Sequence, residues 1–138
     1  MKNPIITIGK QLVSEKDSIQ DIKPMMNAIR NAIDISDEKF FLMMVAATEA
    51  VNNAIIHGNK LDRDKKTIID ISASKNLVKI EVKDNGTGFN CNCLDDPRKP
   101  ENLLKEGGRG VFLIRHIADR VEFRCSACGS RVLMEFDL

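Results

Sequence analysis

The alternation of apolar and polar positions changes period several times along the chain, and each change predicts an element. Ile5, Ile6 and Ile8 around Thr7 predict a short edge strand, followed by a polar stretch and an amphipathic first helix over about 18–33. Ser36 before Asp37 and Glu38 marks a second helix start, with a capping hydroxyl and two acids at the positive end of the helix dipole. Residues 40–47 are apolar on nearly every side, the pattern of a buried helix. That helix is expected to stop near His57-Gly58-Asn59, where a glycine suits a C-terminal cap. Strands follow at 67–74 and 77–84, with Lys75-Asn76 as the turn. In the second of them Val78, Ile80, Val82 and Asp84 share one face and Lys79, Glu81 and Lys83 the other, so the alternation aims Asp84 at the core. A carboxylate placed there needs a partner.

Residues 89–106 hold two prolines, two cysteines and little periodicity, which predicts a functional lid over about 89–109. Gly107-Gly108-Arg109-Gly110 closes the lid and opens an apolar helix at 111–118, and a hairpin of 121–125 and 130–136 ends the chain. No repeat, low-complexity stretch or linker interrupts the pattern, so residues 1–138 read as one domain. The expected fold class is α+β, a two-layer sandwich whose mixed, mostly antiparallel sheet carries helices on one face.

Composition narrows the function. A length of 138 residues with 43% hydrophobic side chains suffices for an ordinary core, and a formal net charge of +1 gives no footprint of a nucleic-acid binder or polybasic membrane anchor. The apolar run 40–47 is short for a membrane span, and residues 1–10 lack the apolar centre of a signal peptide, so a cytoplasmic location without direct nucleic-acid or membrane contact is expected. Cys91 with Cys93, and Cys125 with Cys128, leave two readings open, a metal site or free thiols in a loop and a hairpin.

Three segments carry residues fit for chemistry. Glu49 and Asn53 are four apart on the second helix and so share a face. The carboxylate is a candidate proton acceptor, and the neutral amide oxygen suits Mg2+. Asp84-Asn85-Gly86-Thr87-Gly88 follows a strand, and glycines at 86 and 88 let backbone approach a planar ligand closely. Gly108-Arg109-Gly110 at a helix start offers backbone N–H groups and a positive dipole end to phosphates. No Gly-x-x-x-x-Gly-Lys-Ser/Thr occurs, so a nucleotide site here is not a P-loop.

In this order the three segments resemble the N, G1 and G2 boxes of the GHKL (Bergerat-fold) ATPases, over nearly the whole chain. Glu49-Ala-Val-Asn-Asn53-Ala-Ile-Ile-His57-Gly58-Asn59, Pro100-Glu-Asn-Leu-Leu-Lys-Glu106 and Gly108-Arg-Gly110-Val-Phe-Leu-Ile are similar to the anti-sigma-factor serine/threonine kinases within that superfamily. The resemblance implies that ATP and Mg2+ are used, that Asp84 accepts a hydrogen bond from the adenine amino group with Gly86 and Gly88 nearby, and that Asn53 is the Mg2+ ligand. It also implies that Gly108, Arg109 and Gly110 hold the phosphates and that Glu49 is the base for a partner's serine. Ser130 stands where relatives usually carry a threonine near the base. Relatives often place a basic residue where this chain has Glu106, which leaves the cation facing the γ-phosphate open between Arg109 and another group. His57, one turn beyond Asn53, reads equally as support for the site or as a cation at a helix C-terminus. The implied partners are a sigma factor and an anti-anti-sigma substrate of the STAS type, with the chain a homodimer. Two alternatives stand beside the kinase: a nucleotide-gated partner switch with little phosphoryl transfer, and a stand-alone histidine-kinase-type ATPase domain.

Overall fold

The computed structural model describes residues 4–85, 108–126 and 129–138. Five strands form one sheet, β1 (Ile6–Val13), β2 (Lys66–Ala73), β3 (Leu77–Asp84), β4 (Arg120–Ser126) and β5 (Gly129–Asp137), in the spatial order β1-β2-β3-β5-β4. All four described pairings are antiparallel. Three helices cover one face: α1 (Ile22–Ala32), α2 (Asp37–Asn52) and α3 (Gly108–Ile117). The architecture is the α+β two-layer arrangement that the sequence pattern predicts. The lid expected over about 89–109 lies outside the described residues up to 107.

The register shows why one face is covered. Ile69, Ile71 and Ala73 of β2 stand opposite Val82, Ile80 and Val78 of β3, which stand opposite Val132, Met134 and Phe136 of β5. All nine are buried, so three adjacent strands present a continuous apolar floor. The other face carries Lys79, Glu81, Lys83 and Arg131, with Glu81 accepting ion pairs from Lys83 at 3.0 Å and Arg131 at 3.2 Å. Alternation of this kind is the signature of a sheet solvated on one side.

α2 crosses the floor. Ser36 caps it as expected, its hydroxyl accepting from the Lys39 N–H at 3.1 Å. Beyond Asn52 the helix continues as a π-helical stretch, Asn53–Gly58. The whole run Asp37–Gly58 is long and apolar enough, by length and composition, to cross a bilayer. Its buried residues Met43, Ala46, Ala47, Ala50, Val51, Ala54 and Ile55 belong to the core cluster with the sheet floor, which places it as the central helix of this domain. α3 runs antiparallel beside it, since Gly110 lies against Glu49 while Asp119, just past α3, pairs with Lys39 at 3.7 Å.

Two elements differ from the pattern reading. The first helix, expected over about 18–33, changes type along its length: a 3-10 helix, Lys16–Asp21, runs directly into α1. Pro24 explains the change, because a proline inside one long helix would delete a backbone bond and clash with the carbonyl four residues earlier, whereas the first turn of α1 tolerates it. β1 is also longer than Ile5 to Ile8 suggests. It pairs with β2 through Val13, and Lys10 on its core-side parity escapes burial by pairing with Asp21 at 3.4 Å.

These packing relations separate two kinds of contribution. Ile80→Ala, at a fully buried central-strand position, is expected to cost about 2–5 kcal/mol in urea unfolding, and Ser36→Ala, at an exposed cap, about 1 kcal/mol. Equal losses would contradict the placement of the core floor.

Candidate functional site

Asp84 ends β3 on the core-facing side, as strand parity predicts, and is 7% exposed. Ser130 supplies the partner this buried carboxylate requires. The Ser130 N–H donates to Oδ1 at 3.2 Å and its hydroxyl donates to Oδ2 at 2.5 Å. Hydrogen bonds to an ionised acceptor are among the stronger ones, and they fix the carboxylate against β5.

Gly58 forms the opposite wall. A Cβ on Gly58 would lie 2.3 Å from Asp84 Oδ2 and 2.5 Å from Cγ, so only a glycine lets the end of the helix approach the carboxylate. The helical run ends at Gly58, where the sequence places its stop, with Asn59 as the capping residue, and the positive-φ residues lie just beyond, at Lys60 and Leu61 with φ of 52° and 60°. Gly129, at the start of β5, packs against the Asp84 backbone. Its φ of 143° strongly favours glycine, and a Cβ there would sit 1.9 Å from the Asp84 carbonyl oxygen.

The second half of the site lies further back along the same helix. Glu49 and Asn53 are both half-buried and converge on Gly110, in the first turn of α3. A Cβ on Gly110 would meet Glu49 Oε2 at 2.7 Å, Asn53 Nδ2 at 3.3 Å and Asn53 Oδ1 at 3.5 Å. The one-face expectation for Glu49 and Asn53 is therefore met, even though α-helical bonding gives way to π-helical bonding at Asn53. π-helical turns of this kind are common at functional sites. Gly108, Arg109 and Gly110 occupy the first turn of α3, where backbone N–H groups lack partners within the helix. The nine-residue separation of Glu49 and Gly58 sets the two halves on the order of 10 Å apart along the helix axis. Gly86 and Gly88 lie outside the described residues, as do Glu106, Cys91, Cys93 and Cys128.

One polar residue of this region was visible in the sequence only as the end of a motif. Asn59 is fully buried, and its amide donates towards Ser14 Oγ at 2.9 Å, the Lys66 carbonyl at 3.1 Å and Thr67 Oγ1 at 3.2 Å. Its Oδ1 accepts from the Asn85 N–H at 3.0 Å. Thr67, also fully buried, is the cross-strand partner of Asp84. The signal available in sequence was an asparagine directly after a helix-ending glycine, which turn chemistry explains equally well.

A nucleotide with Mg2+ fits this arrangement. A carboxylate, which accepts hydrogen bonds, suits a base that presents a donor, and a helix start beside a neutral amide oxygen suits phosphates and a cation bound mainly by water and phosphate. Among the described residues, no group of three or more His, Cys, Asp or Glu is placed to hold a metal without such help.

The close approaches make a test of this geometry that is independent of activity. Gly58→Ala forces a fixed carboxylate to move and is expected to cost about 1–3 kcal/mol. Gly110→Ala meets the end of a longer side chain that can swing away, and is expected to cost less than about 1 kcal/mol. The reverse order in chemical denaturation would contradict the packing described.

The comparisons with known proteins agree with this picture. The model of the histidine kinase-like ATPase domain matches residues 12–136, a span that takes in every described site residue. An anti-sigma F factor of Clostridium perfringens (strain 13 / Type A) is 31% identical over 108 residues, which are 75% of this chain and 76% of that protein. The serine-protein kinase RsbW of Bacillus mycoides (strain KBAB4) is 26% identical over 121 residues, covering 83% of this chain and 75% of the relative. Among solved structures, the RsbU and RsbW domains of a Mycobacterium tuberculosis protein share the fold with a TM-score of 0.65 at 13% identity, over 95% of this chain and 32% of that one. A walled carboxylate, an acid-and-amide helix and a glycine-led helix thus sit in the framework the family model describes, and the chain belongs to the anti-sigma-factor kinase family of the GHKL, histidine kinase-like ATPases.

Proposed function

We propose that this chain is an ATP-dependent protein serine/threonine kinase that acts as an anti-sigma factor and phosphorylates an anti-anti-sigma partner. The observation that carries the reading is the convergence of Glu49, Asn53 and Gly110, which sets a carboxylate, a neutral amide and a helix start at one point. ATP supplies the γ-phosphoryl group, and Mg2+ held with the help of the Asn53 amide oxygen offsets its charge. Glu49 orients the partner's serine hydroxyl and accepts its proton, a role that phosphoryl transfer needs more than covalent chemistry. Asp84, held by Ser130, accepts from the adenine amino group. Guanine presents a carbonyl at that place, which a buried carboxylate rejects. The first-turn amides of Gly108, Arg109 and Gly110 bind the phosphates, as helix starts do.

In this reading residues 1–138 act as one cytoplasmic ATPase domain with a lid over about 89–109. The domain is a homodimer that holds a sigma factor and releases it to an anti-anti-sigma protein of the STAS type. A second reading, a nucleotide-gated switch without transfer, draws on the 31% identical relative, which is named for sigma-factor antagonism alone.

Incubation with radiolabelled ATP, Mg2+ and candidate anti-anti-sigma proteins distinguishes the two. Glu49→Ala is expected to lower phosphoryl transfer roughly a hundredfold or more while leaving nucleotide affinity little changed. Asp84→Asn is expected to weaken ATP binding itself. Transfer that survives Glu49→Ala would remove the base assignment, and tight ATP binding with no transfer to any partner would favour the switch.

A further inference from the structure

Asn59 is joined to more separate segments than a buried side chain needs for its own satisfaction. Its carboxamide reaches Ser14 just past β1, Lys66 and Thr67 at the start of β2, and Asn85 just past β3. The last of these bonds matters most for the site. Pairing between β2 and β3 reaches Asp84, opposite Thr67, and the next N–H, that of Asn85, is taken by Asn59 Oδ1. Consecutive residues of one helix end therefore act on the two sides of one aspartate. Gly58 packs against the Asp84 carboxylate, and Asn59 holds the peptide that follows it.

We propose that Asn59 is a positioning residue for adenine recognition. By accepting from the Asn85 N–H while anchored to β2 and Ser14, it fixes the Asp84–Asn85 peptide and with it the direction in which the Asp84 carboxylate meets the base. The inference rests on the ATP reading above. Ser130 restrains the carboxylate from β5, Thr67 pairs across from Asp84, and Gly129 packs against its carbonyl, and the bond from the Asn85 N–H to Asn59 carries that restraint one residue past the strand. Asn59 is the described side chain that accepts from that backbone. Small displacements of a recognition group are costly when discrimination depends on one donor and one acceptor meeting.

Two substitutions separate positioning from mere stability. Asn59→Leu keeps the approximate volume and removes every bond, whereas Asn59→Asp keeps an acceptor for the Asn85 N–H and loses the donors to Ser14, Lys66 and Thr67. Both are expected to lower the melting temperature. In calorimetry on folded protein, Asn59→Leu is expected to lower the ratio of ATP to GTP affinity roughly tenfold or more, with inorganic tripolyphosphate affinity unchanged, and Asn59→Asp to keep the wild-type ratio. A folded Asn59→Leu chain with the wild-type ratio would overturn the proposal. Should neither variant fold, amide hydrogen exchange on the wild type decides: the Asn85 N–H is expected to be protected, and exchange at the rate of a free peptide would overturn the role of Asn59. A wild-type chain that binds no ATP would instead overturn the nucleotide reading on which the proposal rests.

Discussion

A carboxylate buried at the end of β3 is the constraint around which the rest of this site is arranged. Asp84 is buried to 7% exposure, where a carboxylate without hydrogen-bond partners would be costly. Its surroundings answer that cost residue by residue. Ser130 donates twice, Gly58 gives up its side chain so that the helix can close against the carboxylate, and Gly129 adopts a backbone conformation that brings β5 within contact of the Asp84 carbonyl. Each of these residues would be a poor choice for packing alone. A half-buried serine near the start of a strand, a glycine at the end of a core helix and a glycine opening a strand make sense together once the carboxylate is given.

The sheet and the central helix turn this local arrangement into a site. Because the apolar floor of β2, β3 and β5 is continuous, α2 can lie across it, with the small residues Ala46, Ala47 and Ala50 buried in the shared core. Its far end then arrives at Asp84. The same helix carries Glu49 and Asn53 to the first turn of α3, so in the proposed function base recognition and phosphate chemistry share one helical element. Sites carried on helices and strands hold their geometry better than sites carried on loops.

Much of this was legible in the sequence, for identifiable reasons. The two-residue period of Val78, Ile80 and Val82 carried Asp84 to the core side without any structural knowledge, and the four-residue spacing of Glu49 and Asn53 placed them on one face. What was not legible depends on contacts distant in sequence. Gly58 read as a helix cap because local chemistry offers that explanation first, while its actual constraint comes from a residue 26 positions later in the chain. The continuation of α2 into a π-helix leaves no mark in hydrophobic spacing, and the polar character of Lys10 and Gln11 hid the full length of β1. Pro24 did announce the change of type within the first helix, but amphipathic periodicity across it spoke for one element.

In the proposed function, Asp84 and the Glu49–Asn53–Gly110 cluster are two ends of one nucleotide site. A crystal structure with Mg2+ and a non-hydrolysable ATP analogue tests it most directly. The adenine amino group is expected to donate to the Asp84 carboxylate with the Ser130 bonds retained, and the phosphates to lie at the first turn of α3 beside Asn53. A nucleotide bound with its base away from Asp84, or with its phosphates away from α3, would contradict it.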